Sequence, residues 1–170
     1  MNTTPQKFII GTRGSLLALT QCLQVKQQLE NLSPHKFELK IIKTEGDENT
    51  SAPLWQLDGK DFFTKELDAA LLKGEVDMVV HSYKDLGSER PVGIKLMAIT
   101  KRDYPQDILF TSQKAIQKLQ AGEMKTFSVG TSSPRRIVNL TKELQSFLPF
   151  GEKNNVEVVT KNLRGNVNTR

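Results

Sequence analysis

Short apolar runs of strand length alternate down this chain with longer stretches whose apolar residues recur every three or four positions, which leaves few folds open. Residues 7–11, Lys-Phe-Ile-Ile-Gly, read as a first strand. The turn Gly11-Thr12-Arg13-Gly14-Ser15 leads into a helix that runs to about Leu32, with Ser15 as its N-cap. Leu16, Leu19 and Leu23 mark one stripe of this helix, and Cys22, Val25, Leu29 and Leu32 extend it. Ser33-Pro34 stops it. Residues 37–43 alternate like a strand, whereas residues 44–53 are polar, rich in turn formers and expected to be a mobile loop. A second helix is expected over residues 63–73, with Phe63, Leu67, Ala70 and Leu71 facing inward and Gly74 as its stop. Further strands are expected at 78–80, 94–99, 107–110, 127–130 and 156–160, and helices at 115–119 and 133–147. Such alternation argues for an α/β fold with mainly parallel pairing.

Residues 101–105, Lys-Arg-Asp-Tyr-Pro, form a charged, proline-containing break, and a domain crossing is expected there, with one domain over 1–103 and another over 104–170. The second has too few elements to cover a sheet on both faces, and the closing Gly165-Asn166-Val167-Asn168-Thr169-Arg170 looks like a helix start, so the chain reads as a fragment. No apolar run approaches membrane-span length and the N-terminus lacks the pattern of a signal peptide, so a cytoplasmic location with no membrane partner is the expectation. A monomer is expected as well. The single cysteine, Cys22, excludes an internal disulfide and a cysteine-based zinc site, and two histidines do not make a metal cluster. Cys22 lies on the apolar stripe and reads as a buried small hydrophobe. A net charge of +5 suggests an anionic partner. Aromatic residues, 6% of the chain, do not interleave with the basic ones, which argues against nucleic acid.

Chemistry concentrates at three places. Met78-Val79-Val80 ends in His81, Ser82, Tyr83, Lys84 and Asp85, and in open α/β sheets ligands bind at the carboxyl ends of strands. The plain alternative is a capped turn. Second, Gly11-Thr12-Arg13-Gly14-Ser15 resembles Gly130-Thr131-Ser132-Ser133-Pro134-Arg135-Arg136: each follows an apolar strand and enters a helix, where free backbone N–H groups hold anions. Pro134 suits the first helical position, and Arg135 and Arg136 then stand against the helix dipole, which suggests an anion as compensation; a solvated arginine pair is the alternative. Third, Arg164 and Arg170 occupy the closing segment, and Lys60 follows Gly59 ahead of the second helix. One acid, Asp85, among cations at turn ends implies a substrate with several negative charges, with Asp85 handling positive charge or a proton. A non-catalytic polycarboxylate-binding module is the alternative function.

Six segments then carry a resemblance: Gly-Thr-Arg-Gly-Ser-Leu-Leu-Ala-Leu-x-Gln (11–21), Thr-Glu-Gly-Asp (44–47), Gly-Lys-x-x-Phe-Thr-Lys-Glu-Leu (59–67), Asp-Met-Val-Val-His-Ser-x-Lys-Asp-Leu (77–86), Val-Gly-Thr-Ser-Ser-x-Arg-Arg (129–136) and Asn-Leu-Arg-Gly-Asn-Val-x-Thr-Arg (162–170). In this order they resemble the hydroxymethylbilane synthase (porphobilinogen deaminase) family. The resemblance implies a fold like type II periplasmic binding proteins, with domain 1 nearly complete and part of domain 2, and an active site in the cleft between them. It implies condensation of four porphobilinogen units on a dipyrromethane cofactor, held through a cysteine in a third domain that this chain lacks. Asp85 would be catalytic. Arg13, Ser15, Lys60, Ser82, Lys84, Thr131, Ser132, Ser133, Arg135, Arg136, Arg164 and Arg170 would bind cofactor and polypyrrole carboxylates. The chain departs from the family pattern at Gln56, Asp58, Asp61 and Gly87.

Overall fold

A computed structural model describes residues 4–48, 62–87, 89–163 and 165, the Glu48 side chain excepted. Lys60, Arg164, Arg170 and the departures at Gln56, Asp58 and Asp61 lie outside the described residues, as do 49–53 of the expected loop and most of the closing segment. The chain divides into two compact units between Lys101 and Arg102.

The first unit contains β1 (Lys7–Thr12), α1 (Leu16–Leu32), β2 (Lys36–Ile41), α2 (Glu45–Glu48), α3 (Lys65–Leu72), β3 (Met78–Val79) and a 3-10 turn at Tyr83–Asp85. Its sheet has the order β2-β1-β3. Both pairings are parallel, with Phe8 opposite Phe37 and Ile10 flanked by Leu39 and Met78. The central strand therefore carries the core: Ile10, Cys22 and Phe37 are buried together, with Phe8, Leu29, Leu39, Met78 and Val80 against them. Burying one such side chain contributes about 1.5–3 kcal/mol. Asp77 locks β3 to β1, since its carboxylate accepts the Ile9 N–H at 2.7 Å and its own N–H donates to the Ile9 carbonyl at 2.9 Å. A Cβ on Gly11 would stand 3.1 Å from a Val79 methyl and 3.3 Å from a Val76 methyl, so those side chains would have to shift to admit it.

Several expectations need correction. The buried side of α1 runs through Cys22, but Leu16, Leu23 and Leu32 are exposed, Leu23 to 52%. At about 100° per residue, Leu16 and Leu23 lie about 100–120° round the helix from Cys22, which takes them off the sheet-facing side. The expected loop begins instead as a one-turn helix, α2, because its backbone finds partners: Gly46 N–H donates to the Phe62 carbonyl at 2.9 Å and Glu45 N–H to the Glu66 carboxylate at 3.1 Å. Residues 94–99 and 107–110 are not strands. Their apolar side chains stand in solvent, Met97 to 86% and Phe110 to 90%, and no described strand runs beside them to complete a ladder. The run at 78–80 pairs over two residues only.

The second unit contains α4 (Gln113–Gln120), β4 (Thr126–Gly130), α5 (Pro134–Phe147) and β5 (Glu157–Lys161). β4 and β5 pair in parallel, with Phe127 opposite Val158. Its core is Leu119, Phe127, Val129, Leu144, Leu148 and Val156. The exit from α5 passes through Phe150 at φ 57 and then Gly151, which is buried. A Cβ on Gly151 would collide with the Gln145 carbonyl oxygen and lie 3.0 Å from the Leu148 Cβ, so backbone would have to move. Gly151→Ala is expected to destabilise this unit by about 2–4 kcal/mol, read as an earlier urea midpoint; an unchanged midpoint would show that the turn is free to relax.

Among the described residues, no helix is long and apolar enough to cross a membrane.

Candidate active site

Parallel neighbours bring their carboxyl ends to the same edge of a sheet. β1 ends at Thr12 and β3 at Val79, so the turn carrying Arg13 and the segment carrying His81–Asp85 come together. One Arg13 terminal nitrogen, Nη1, lies 3.6 Å from Asp85 Oδ2, and their side chains are 16% and 18% exposed. This is an ion pair beyond hydrogen-bond length. The stronger partner of Arg13 is Asp47, in α2: Nη2 donates to Oδ1 at 2.5 Å and Nε to Oδ2 at 3.1 Å. The guanidinium also stacks 4.0 Å above the Phe63 ring. Thr44, 1% exposed, donates its hydroxyl to Asp47 Oδ2 at 2.8 Å. Gly46 completes the bracket, for a Cβ there would strike the Phe63 ring.

Burial pushes the Asp85 carboxyl above its usual range; Lys84 and Arg13 oppose that shift and Asp47 adds to it. Burial also works against ionisation of Asp47, but hydrogen bonds from Arg13 and Thr44 outweigh it and hold this carboxyl low. The two acids therefore differ in kind. Asp47 is held toward the ionised form, and Asp85 is shifted toward the protonated one.

Ser82 donates its hydroxyl to Gln21 of α1 at 2.5 Å. Ser15 caps α1, its oxygen accepting the Ala18 N–H at 3.3 Å, and its own proton stays available to a ligand. Lys84 is exposed beside Asp85. His81 is buried, with 8% of its side chain exposed. Its Nε2 has no hydrogen-bond partner and lies 3.7 Å from Asp68 Oδ1. Burial, aided by Arg13 and Arg90, pushes the His81 pKa down to about 4.

Stability depends on pH through this residue. Above about pH 6.5 the imidazole is neutral in both folded and unfolded chains. Between there and pH 4 the unfolded chain takes up a proton that the folded chain refuses, so stability falls with pH. The loss from this residue is expected to reach about 2 kcal/mol at pH 5 and about 3 kcal/mol at pH 4. Urea titrations at pH 7.5 and 5 check it: His81→Gln should flatten the difference, and an equally steep dependence in that variant would contradict the assignment.

In the second unit the β4–α5 turn has the geometry of an anion cradle. Thr131 N–H donates to the Lys161 carbonyl at 2.8 Å, which fixes the turn to β5. Ser133 N–H donates to Thr131 Oγ1 at 3.3 Å, and Leu163 N–H to Ser132 Oγ at 3.0 Å. Ser133 is the N-cap of α5, yet its side chain makes no capping hydrogen bond, and the first turn has no acidic residue. Its free N–H groups and the unengaged hydroxyl suit a carboxylate. Arg135 is exposed there. Arg136 is already paired, Nη2 and Nε donating to Asp107 Oδ1 at 2.6 and 3.0 Å. Part of the compensation that the sequence assigns to a ligand thus comes from Asp107.

Sequence reasoning gave no role to Asp47, Thr44, Gln21 or Asp107, and it put Phe63 on the inner face of the second helix, whereas that helix starts at Lys65 and Phe63 lies before it, against Arg13. Thr-Glu-Gly-Asp did mark Asp47, and a half-buried arginine needs a carboxylate; nothing in the sequence pointed Asp107 at Arg136.

Residues 8–170 match the family model "Porphobilinogen deaminase, dipyromethane cofactor binding domain". The chain is 42% identical over 165 residues to the porphobilinogen deaminase of a Nitratiruptor species, covering 96% of this chain and 48% of that protein. It is 40% identical to that of Syntrophus aciditrophicus over 95% of this chain and 48% of the relative. To the probable porphobilinogen deaminase of Archaeoglobus fulgidus it is 39% identical, over 96% and 51%. The chain spans about half the length of the curated relatives it matches. With the model matched from β1 through the anion cradle and beyond, the chain belongs to the porphobilinogen deaminase family.

Proposed function

We propose that this chain supplies the N-terminal half of a hydroxymethylbilane synthase, a transferase that joins four porphobilinogen molecules head to tail. Each condensation releases ammonia, and the product is the linear tetrapyrrole hydroxymethylbilane. The observation that carries this reading is Asp85: a carboxyl raised by burial, beside two cations, in a member of this family. Loss of the aminomethyl nitrogen as ammonia leaves a methylene-pyrrole cation. Asp85 stabilises that positive charge, and the nitrogen must be protonated to leave. A protonated Asp85 gives its proton to the departing nitrogen, and the carboxylate that remains then stabilises the cation.

In this reading the dipyrromethane cofactor, when bound, supplies the nucleophilic pyrrole carbon to which the first substrate is joined. The residues present fit such a polycarboxylate. The unengaged Ser133 hydroxyl, Ser132, Thr131 and Arg135 hold its carboxylates, and Arg136 joins them in competition with Asp107. Arg13, Ser15, Lys84 and Ser82 of the first unit are further candidates to bind carboxylates, as are Lys60, Arg164 and Arg170. Cys22 does not fit as the attachment point: it is fully buried in the core, and burial pushes its thiol pKa up. Both units follow the plan of type II periplasmic binding proteins, in a cytoplasmic monomer. The test is incubation of the full-length enzyme with porphobilinogen. Ammonia and a linear tetrapyrrole that cyclises to a uroporphyrin-type chromophore are expected; neither, from protein with its cofactor loaded, would overturn the proposal.

A further inference from the structure

Arg13 stands between two carboxylates and treats them differently. It grips Asp47 with two hydrogen bonds, at 2.5 and 3.1 Å, and stops 3.6 Å short of Asp85. A guanidinium is planar, and a bidentate carboxylate fixes both its position and its plane. Phe63 fixes the same plane from below, with the guanidinium carbon 4.0 Å from the ring centroid. Asp47 is itself held by the Thr44 hydroxyl at 2.8 Å and by its own N–H, which donates to the Thr44 carbonyl at 3.0 Å. Gly46 lets this turn lie against Phe63, where a Cβ would not fit. Asp47, Phe63 and Arg13 thus form a closed bracket around the guanidinium.

We propose that Asp47 is a positioning residue that holds the Arg13 guanidinium beside Asp85 while preventing the two from closing into a hydrogen-bonded ion pair. Among the described residues, the other carboxylate paired with Arg13 is Asp85, the one it would turn to without Asp47. A bidentate pair there would satisfy both groups and make Asp85 a poor proton carrier. Removing Asp47 also removes a neighbouring negative charge, so both consequences make Asp85 more acidic. The charged groups acting on Asp85 are Arg13 from the β1–α1 turn, Asp47 from α2 and Lys84 from its own turn. The inference deepens the proposed function and rests on it for the meaning of Asp85, but its test does not.

The test is a carboxylate-detected NMR titration of Asp85 in this chain, compared with Asp47→Asn, Asp47→Glu and Thr44→Val. Asp47→Asn should raise the Asp85 acid dissociation constant at least about threefold. Asp47→Glu keeps the charge and should leave it within about 1.5-fold. Thr44→Val, which loosens Asp47 without removing it, should move it in the Asn direction and serves where Asp47→Asn does not fold. An unchanged Asp85 titration in both Asp47→Asn and Thr44→Val would overturn the proposal, and so would an Asp47→Glu shift as large as the Asn shift. Failure of the wild-type full-length enzyme to consume porphobilinogen, with these shifts present, would overturn the functional reading alone.

Discussion

Asp85→Asn in the full-length enzyme is expected to lower kcat for porphobilinogen by about 10²–10⁴-fold, the usual worth of a positioned acid–base or charge-stabilising group. The amide is nearly isosteric, so binding of the substrate carboxylates, which the cations hold, should change only a few-fold. Stability should move the other way. The Asp85 carboxyl titrates above its usual range in the folded chain, so its ionised form is disfavoured there. Its contribution to stability is largest when protonated and falls as pH rises from the unfolded value through the raised folded one. At neutral pH the charge is a cost that asparagine removes, and the variant should unfold at slightly higher urea. Steady-state kinetics and a urea titration at pH 7 check both halves. A variant that keeps full kcat would remove Asp85 from the chemistry. One that loses both kcat and stability would make it a structural residue.

Arg135→Ala combined with Arg136→Ala is expected to weaken porphobilinogen binding by at least about 100-fold, since charge-assisted hydrogen bonds contribute about 1.5–3 kcal/mol each. The two arginines are not equivalent. Arg135 is exposed at the start of α5, whereas Arg136 holds Asp107. Arg136→Ala therefore removes a cation and also leaves the Asp107 charge uncompensated beside the anion cradle. Asp107→Asn releases Arg136 and should tighten binding several-fold, a change of opposite sign from a nearby residue. Calorimetry with porphobilinogen at low and moderate salt reads all three. Tightening by Asp107→Asn together with loss in the double variant supports the cradle; an unchanged affinity in the double variant removes it.

The parallel α/β plan was legible in the sequence because β1, β4 and β5 are apolar runs closed by glycine or turn residues, α1 has a clear cap at Ser15, and Pro134 marks the start of α5. The alternation at 94–99 and 107–110 was equally strand-like and misled, since apolar alternation records what a segment can pair with, not whether a partner strand is present. The α1 stripe was drawn too wide because leucine counting gives no angular reference. The buried position of Cys22 supplies one, and Leu16 and Leu23 then fall outside the face. At the site, Asp85 and the arginines could be read from local pattern, since each lies at a strand end or helix start. The Arg13–Asp47 pair spans 34 positions and Arg136–Asp107 spans 29, distances over which no periodicity speaks. His81 looked like one more polar group in its cluster, and only its burial shows that it is kept neutral.

On the proposed function, the full-length enzyme builds its polypyrrole on a covalently held dipyrromethane and so carries that chemistry as mass. The intact mass of the full-length protein, taken before and after exposure to porphobilinogen, tests this most directly. The expected result is a protein heavier than its sequence by a covalent dipyrromethane, which then gains mass in steps of one pyrrole unit. A mass equal to the sequence, unchanged after substrate, would contradict the account.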